Sequence, residues 1–222
     1  MPISIAIDGP AGAGKSTIAK KIAGIRGMTY LDTGAMYRAC ALKAIRMGIS
    51  CNDAVRVGEM LRTTDIAIDC EDGRQIVLLD GEDVSGAIRT PEVSKGSSDI
   101  SAIEPVRIRM VEIQRSIARG RDVILDGRDI GTYVLPDASV KIFLTASVEE
   151  RAQRRFAEMK EKGSTTVTLE EVAKDIAYRD YNDSHRSLAP LRKAEDAIEV
   201  DTTSMTIDQS VERILAIIES RC

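Results

Sequence analysis

The sequence has one histidine, His185, and four cysteines, Cys40, Cys51, Cys70 and Cys222, with no CxxC spacing among them. A single histidine leaves no convincing general base, and the cysteine spacing excludes a thiolate metal site. The cysteines read as reduced, mostly buried thiols of a cytosolic protein. No apolar stretch approaches the ~20 residues that span a membrane. The first apolar run, Ile3-Ser4-Ile5-Ala6-Ile7, is too short for a signal peptide and leads straight into a glycine loop, so a cytoplasmic location is expected. The net charge is −4, which supplies no global basic field for nucleic acid or a membrane surface. Any arginine cluster must then be local and meet a local anion. Repeats, low-complexity tracts and linkers are also missing.

What is present allows one substantial core with room for insertions: 222 residues, 43% hydrophobic and 30% charged. The chain is organised around Gly9-Pro10-Ala11-Gly12-Ala13-Gly14-Lys15-Ser16-Thr17, which satisfies G-x-x-x-x-G-K-[ST]. A short β-branched run precedes it, and Ser16 to Gly27 carries Ile18, Ala19, Ile22, Ala23 and Ile25 at helical spacing. Strand, glycine loop and helix start are the order in which backbone N–H groups converge on a phosphate. Lys15 is expected to reach the β and γ phosphates of ATP, and the Ser16 hydroxyl to ligate Mg²⁺. The pattern predicts a nucleoside triphosphate site.

Further strands are expected at 28–31, 122–126, 140–144 and 197–200, with helices between them and a closing amphipathic helix over 206–219. That alternation predicts an α/β protein, a doubly wound five-stranded parallel sheet. The strand Asp122-Val123-Ile124-Leu125-Asp126 ends in an acid, the place from which P-loop proteins help hold Mg²⁺. Between them, Ile66–Cys70 and Gln75–Leu79 flank a turn and read as a β-hairpin, continued by Asp80-Gly81-Glu82-Asp83. An antiparallel meander does not belong in a βαβ sheet, so it marks an inserted subdomain. From Val148 to Arg192 the chain is at its most charged, with Arg151, Arg154 and Arg155 before the polar turn Gly163-Ser164-Thr165-Thr166, and Arg179, Arg186 and Arg192 after it. Two readings compete there: a mobile helical lid delivering cations, or a solvated face with pairs such as Glu150 with Arg154.

A regulatory GTPase would need an N-K-x-D base-reading motif, and the sequence has none. A small-molecule kinase instead needs an acceptor pocket with counter-charges, which Arg38, Arg107 and Arg128 supply. A nucleotide monophosphate also explains the missing base. Its second pKa of about 6 leaves it largely dianionic at pH 7. Positioning and charge neutralisation then suffice.

The blocks Asp8–Thr17, Asp32-Thr33-Gly34-Ala35-Met36-Tyr37-Arg38, Gly81–Ser85 with Ile88-Arg89-Thr90, Asp126–Thr132 and Arg186–Leu191 carry a resemblance. Together, and collinear over nearly the whole chain, they resemble the bacterial-type cytidylate kinase family. The resemblance implies ATP-dependent phosphorylation of CMP, and of dCMP, with Mg²⁺. A kinase of UMP or of a small metabolite such as shikimate remains the second reading. It also implies a core at 1–36, 104–149 and 187–222, an enlarged monophosphate-binding domain at 37–103, and a short lid at 150–186. A monomer is expected, with no nucleic acid or membrane partner.

Carried over by motif, Gly9 to Thr17 with Arg151 and Arg155 would bind ATP, and Ser16 with Asp126 the metal. Thr33, Tyr37, Arg38 and Arg128 would hold the CMP phosphate, and Ser98, Arg107 and Asp129 would read the cytosine ring. Arg179 and Asp183 would meet the ribose, and Arg186 the transferring phosphoryl group. Lys15, Arg128 and Arg186 are the expected catalytic residues. Two positions keep a second reading: Tyr37 as packing beneath the insert, and Asp129 as the cap of the next turn.

Overall fold

Short aliphatic runs alternate with amphipathic segments, and the structure, a computed structural model, turns that alternation into layers. It describes residues 2–71, 74–161 and 167–221, with the side chains of 70, 71 and 74 outside the description. The expected turns at Asp72-Gly73 and Gly163–Thr166, and Cys222, therefore lie outside the described residues.

The chain runs β1 (Ser4–Asp8), α1 (Lys15–Arg26), β2 (Thr29–Asp32), α2 (Thr33–Arg46) and α3 (Ala54–Leu61). An antiparallel ribbon follows: β3 (Ile66–Glu71), β4 (Arg74–Leu79) and the two-residue β5 (Glu82–Asp83). Next come α4 (Pro91–Ile100), α5 (Glu104–Ala118), β6 (Val123–Gly127), a wide helical turn at Ile130–Val134, and β7 (Val140–Thr145). The chain closes with α6 (Val148–Glu161), α7 (Leu169–His185), β8 (Ile198–Asp201) and α8 (Ile207–Arg221).

Five strands pair in parallel in the order β2-β6-β1-β7-β8, with β1 at the centre. Alternation along a strand sends successive side chains to opposite faces. Ile5 and Ile7 pack beneath α1 and α8 with Ile18, Ile22 and Ile214, whereas Ala6, Leu31 and Leu125 meet Val111 of α5 on the other face. Each fully buried Ile or Leu is worth ~1.5–3 kcal/mol, so both faces drive the layering. The insert has its own core, where Met36, Cys40, Val77 and Leu79 pack with Ile88, Ile100 and Met110. Helix α5 serves both cores, with Val106 and Met110 in one and Val111 in the other. The expected helices, the five parallel strands and the inserted meander are all present.

Helices α6 and α7 pack as a hairpin around Ala152, Val172 and Ile176. A reciprocal cap starts α7: the Thr168 hydroxyl accepts from Glu171 N–H while the Glu171 carboxylate accepts from Thr168 N–H. The expected Glu150–Arg154 pair forms at 2.8 Å, and Arg154 also donates to the Thr202 carbonyl. Cys40 and Cys51 are buried free thiols. Among the described residues no helix is long and apolar enough to cross a membrane.

Candidate active site

The glycine loop sits at the carboxyl end of the central strand, where a doubly wound sheet opens its crevice. Gly9 has φ +150°, and a Cβ there would lie 2.0 Å from the Leu144 carbonyl oxygen, so only glycine fits between β1 and β7. Gly14, at φ 87°, precedes α1, which has no side-chain cap and no acid in its first turn. Its first N–H groups are left for a bound anion. Lys15 is 5% exposed and donates from Nζ to the Pro10 carbonyl at 2.7 Å. Burial, then the nearby Arg128 charge, pushes its pKa down to about 7.

Three segments converge beside that loop. Ser16 Oγ donates to Asp126 Oδ2 at 2.7 Å, and Tyr30 Oη donates to Asp126 Oδ1 at 2.9 Å. Burial, with the charge of Asp32, holds the Asp126 carboxyl above the usual carboxylate range. Asp8 behaves similarly: burial lifts it to about 6 although Ile130 and Gly131 N–H both donate to it. A hydroxyl and a carboxylate at the start of α1 form a hard oxygen donor set, which suits Mg²⁺.

The cleft running from this loop has a volume of about 1070 Å³. Thr33, Tyr37, Arg38 and Ser98 line its far wall; Arg128, Asp129, Arg179, Asp183 and Arg186 line the side formed by the loop after β6 and by α7. Thr33 Oγ1 donates to the Asp126 carbonyl at 2.8 Å. Arg38 donates to Asp32 at 2.8 Å; burial works to raise Asp32, but the Arg38 and Arg89 charges outweigh it and hold its pKa low. Burial pushes Tyr37 up to about 12, and its ring faces the Arg107 guanidinium with 5.6 Å from centroid to Cζ.

Asp129 makes no side-chain capping bond to the turn that follows it, although its backbone carbonyl accepts from Tyr133 and Val134 N–H. Its carboxylate instead accepts from Arg107 and, at 3.1 Å, from Arg186. Arg107 is 0% exposed, lies behind the cleft wall, and also donates to the Ser101 carbonyl. Arg128 Nε donates to Asp183 at 2.6 Å, so charges alternate along a chain from Arg107 through Asp129, Arg186 and Asp183 to Arg128. Those links tie α5 and the loop after β6 to α7. Arg179 makes no ion pair among the described residues, and burial holds its pKa below the ordinary arginine value.

The two arginines expected at ATP part company. Arg155 lines the cleft and pairs with Glu158 at 2.9 Å. Arg151 is 4% exposed and does not line it; its guanidinium donates to the Ala11 and Ala146 carbonyls and to Asp180. It braces the glycine loop from behind. The structure adds Arg89, Ser101 and Arg154 to the lining. Arg89 stands in one of the blocks that carry the resemblance, and Arg154 is one of the arginines before the polar turn, which the sequence reads either as lid cations or as i,i+4 partners on a solvated face.

A parallel sheet of this order, with a phosphate-binding loop at the end of its central strand, defines an α/β protein of the P-loop nucleotide-binding class. Within that class the chain belongs to the cytidylate kinase family, whose sequence model, described as "Cytidylate kinase", matches residues 5–220. The chain is 54% identical over 213 residues to a protein named cytidylate kinase from Caldicellulosiruptor bescii, covering 96% of this chain and 94% of that one. It is 52% identical over 219 residues to the cytidylate kinase of Lactobacillus gasseri, covering 99% and 95%. Among solved structures, a gluconokinase from Sinorhizobium meliloti superposes with a TM-score of 0.51 at 14% identity, over 99% of this chain and 93% of that one. That likeness is one of fold.

Proposed function

We propose that this protein transfers the γ-phosphoryl group of ATP to the phosphate of CMP, releasing ADP and CDP, with dCMP as a second acceptor. The observation that carries the reading is Asp129, an acceptor-only carboxylate held by two buried arginines on the wall of a cleft that begins at a phosphate loop. It offers a partner for an amino group such as cytosine N4. The family match favours this acceptor over UMP or a shikimate-type metabolite.

In this reading the loop Gly9–Thr17 and the uncapped start of α1 hold the ATP phosphates, and Lys15 leaves the Pro10 carbonyl to bridge β and γ oxygens. Ser16 and Asp126 would hold Mg²⁺, which neutralises charge building on the phosphate oxygens. Thr33, Tyr37, Arg38 and Arg128 seat the CMP phosphate, Ser98 and Asp129 the base, with Arg107 bonded to Asp129 from behind the wall, and Arg179 with Asp183 the ribose. Arg186 stands between base pocket and reacting phosphates, bonded to Asp129 and 3.7 Å from Asp183. No side chain removes a proton, because the acceptor phosphate is largely dianionic at neutral pH. Segments 1–36, 104–149 and 187–222 act as the core, 37–103 as the monophosphate-binding domain, and 150–186 as a lid. We place it as a cytoplasmic monomer without a nucleic-acid or membrane partner, in keeping with its net charge of −4.

The test is coupled ADP release with CMP, dCMP, UMP, AMP and shikimate as separate acceptors. CMP and dCMP are expected to give the highest kcat/KM. Faster turnover of UMP or shikimate overturns the reading.

A further inference from the structure

Gln75 stands on β4 in the inserted antiparallel sheet, and Asp32 ends β2, the edge strand of the core sheet. Thr29 turns its N–H inward to the Asp122 carbonyl. Residues alternate along a strand, so Asp32 turns its own N–H and C=O outward, away from β6. There the Gln75 carboxamide meets both groups: Oε1 accepts from Asp32 N–H at 2.7 Å, and Nε2 donates to the Asp32 carbonyl at 3.2 Å. One side chain thus makes the two bonds a further strand would make. A carboxamide suits the task because acceptor and donor lie side by side on one planar group.

Asp32 is 6% exposed and is a junction. Its carboxylate accepts from Ala35 N–H at the start of α2, and pairs with Arg38 at 2.8 Å and Arg89 at 3.5 Å. Arg38 and Arg89 both line the cleft. A backbone held by Gln75 therefore carries the carboxylate that aims two cations.

We propose that Gln75 is a positioning residue for the acceptor phosphate: it docks the inserted sheet on the core's edge strand and so fixes where Asp32 holds Arg38. It touches neither substrate nor reacting atoms. The proposal rests on the cleft being the CMP site. Loss of the clasp loosens the acceptor end and leaves the phosphate loop, which Gln75 does not contact, in place.

Gln75→Ala and Gln75→Glu are compared with the parent for KM toward CMP, KM toward ATP, kcat, and hydrogen exchange at the Asp32 amide. KM for CMP is expected to rise roughly tenfold in both, on the scale of a lost buried hydrogen bond. KM for ATP and kcat should change less than about twofold, and exchange at Asp32 should accelerate. Glutamate fills the same volume but sets an acceptor against the Asp32 carbonyl, so it should be at least as harmful as alanine. A role in packing alone would make glutamate the milder change, which would overturn the proposal, as would an unchanged KM for CMP in both variants. A parent protein that does not phosphorylate CMP refutes the functional reading instead, while the exchange measurement still reports whether the clasp exists.

Discussion

The Ser16 hydroxyl donates to the Asp126 carboxylate over 2.7 Å, across 110 positions of sequence. The contact joins the start of α1 to the end of β6, and Tyr30 holds the other Asp126 oxygen. Asp126→Asn keeps the shape and removes the charge. It is expected to lower kcat by about tenfold or more and to raise the Mg²⁺ concentration giving half-maximal rate. A magnesium titration of both proteins at saturating substrates checks this, and coincident curves would refute the metal assignment.

Lys15 is the second expectation. Its pKa of about 7 lies below the ordinary 10.5, so the folded, nucleotide-free protein binds fewer protons than the unfolded chain between those values. Stability should therefore rise with pH across that window, and Lys15→Met should flatten the rise. ATP phosphates restore the charged ammonium, so binding at about pH 8 should take up a proton. Calorimetry in two buffers of different protonation enthalpy measures the uptake. In Lys15→Met, kcat should fall about 10²–10³-fold while the protein stays folded.

Asp129 bears on base selectivity. Cytosine presents an amino donor where uracil presents an acceptor, so the carboxylate favours the first and opposes the second. Asp129→Asn should cut kcat/KM for CMP by roughly ten- to a hundredfold and change UMP less, narrowing the ratio. Asp129→Ala also leaves Arg107 buried without its counter-charge, and Arg186 with only Asp183 at 3.7 Å, and should cost about 3–5 kcal/mol of stability. Acceptor kinetics of the Asn variant and urea unfolding of the Ala variant separate the two roles.

Two glycines should respond in opposite senses. Gly9→Ala sets a Cβ 2.0 Å from the Leu144 carbonyl at a φ of +150°, and should destabilise by more than the ~1–3 kcal/mol of backbone strain alone. Gly24 lies inside α1, where an added Cβ would meet nothing within 4 Å, so Gly24→Ala should stabilise by ~0.5–1 kcal/mol. Thermal midpoints of both variants decide the matter.

Residues that act through neighbours in sequence are legible from the chain alone. The phosphate loop, its strand and its helix are one local unit, and the aliphatic runs mark each strand of the parallel sheet. Arg107 is harder to place. The sequence puts it in the acceptor pocket as a counter-charge, but only the fold shows that it is fully buried, where Asp129 and the Ser101 carbonyl receive it. Arg151 likewise faces the Ala11 carbonyl, 140 positions away, rather than the cleft.

The sequence by itself determined the strand–loop–helix phosphate site, the alternation that builds a doubly wound sheet, and the blocks that carry the family resemblance. These rest on periodicity, glycine conformations and short spacings, all confined to a few residues of chain. Only the tertiary structure decided which arginine meets which carboxylate, that Arg151 braces the loop from behind, and that Gln75 completes the edge at Asp32. Such pairings join segments tens of residues apart, and a long side chain of one sign has many possible partners until packing brings one within hydrogen-bond reach.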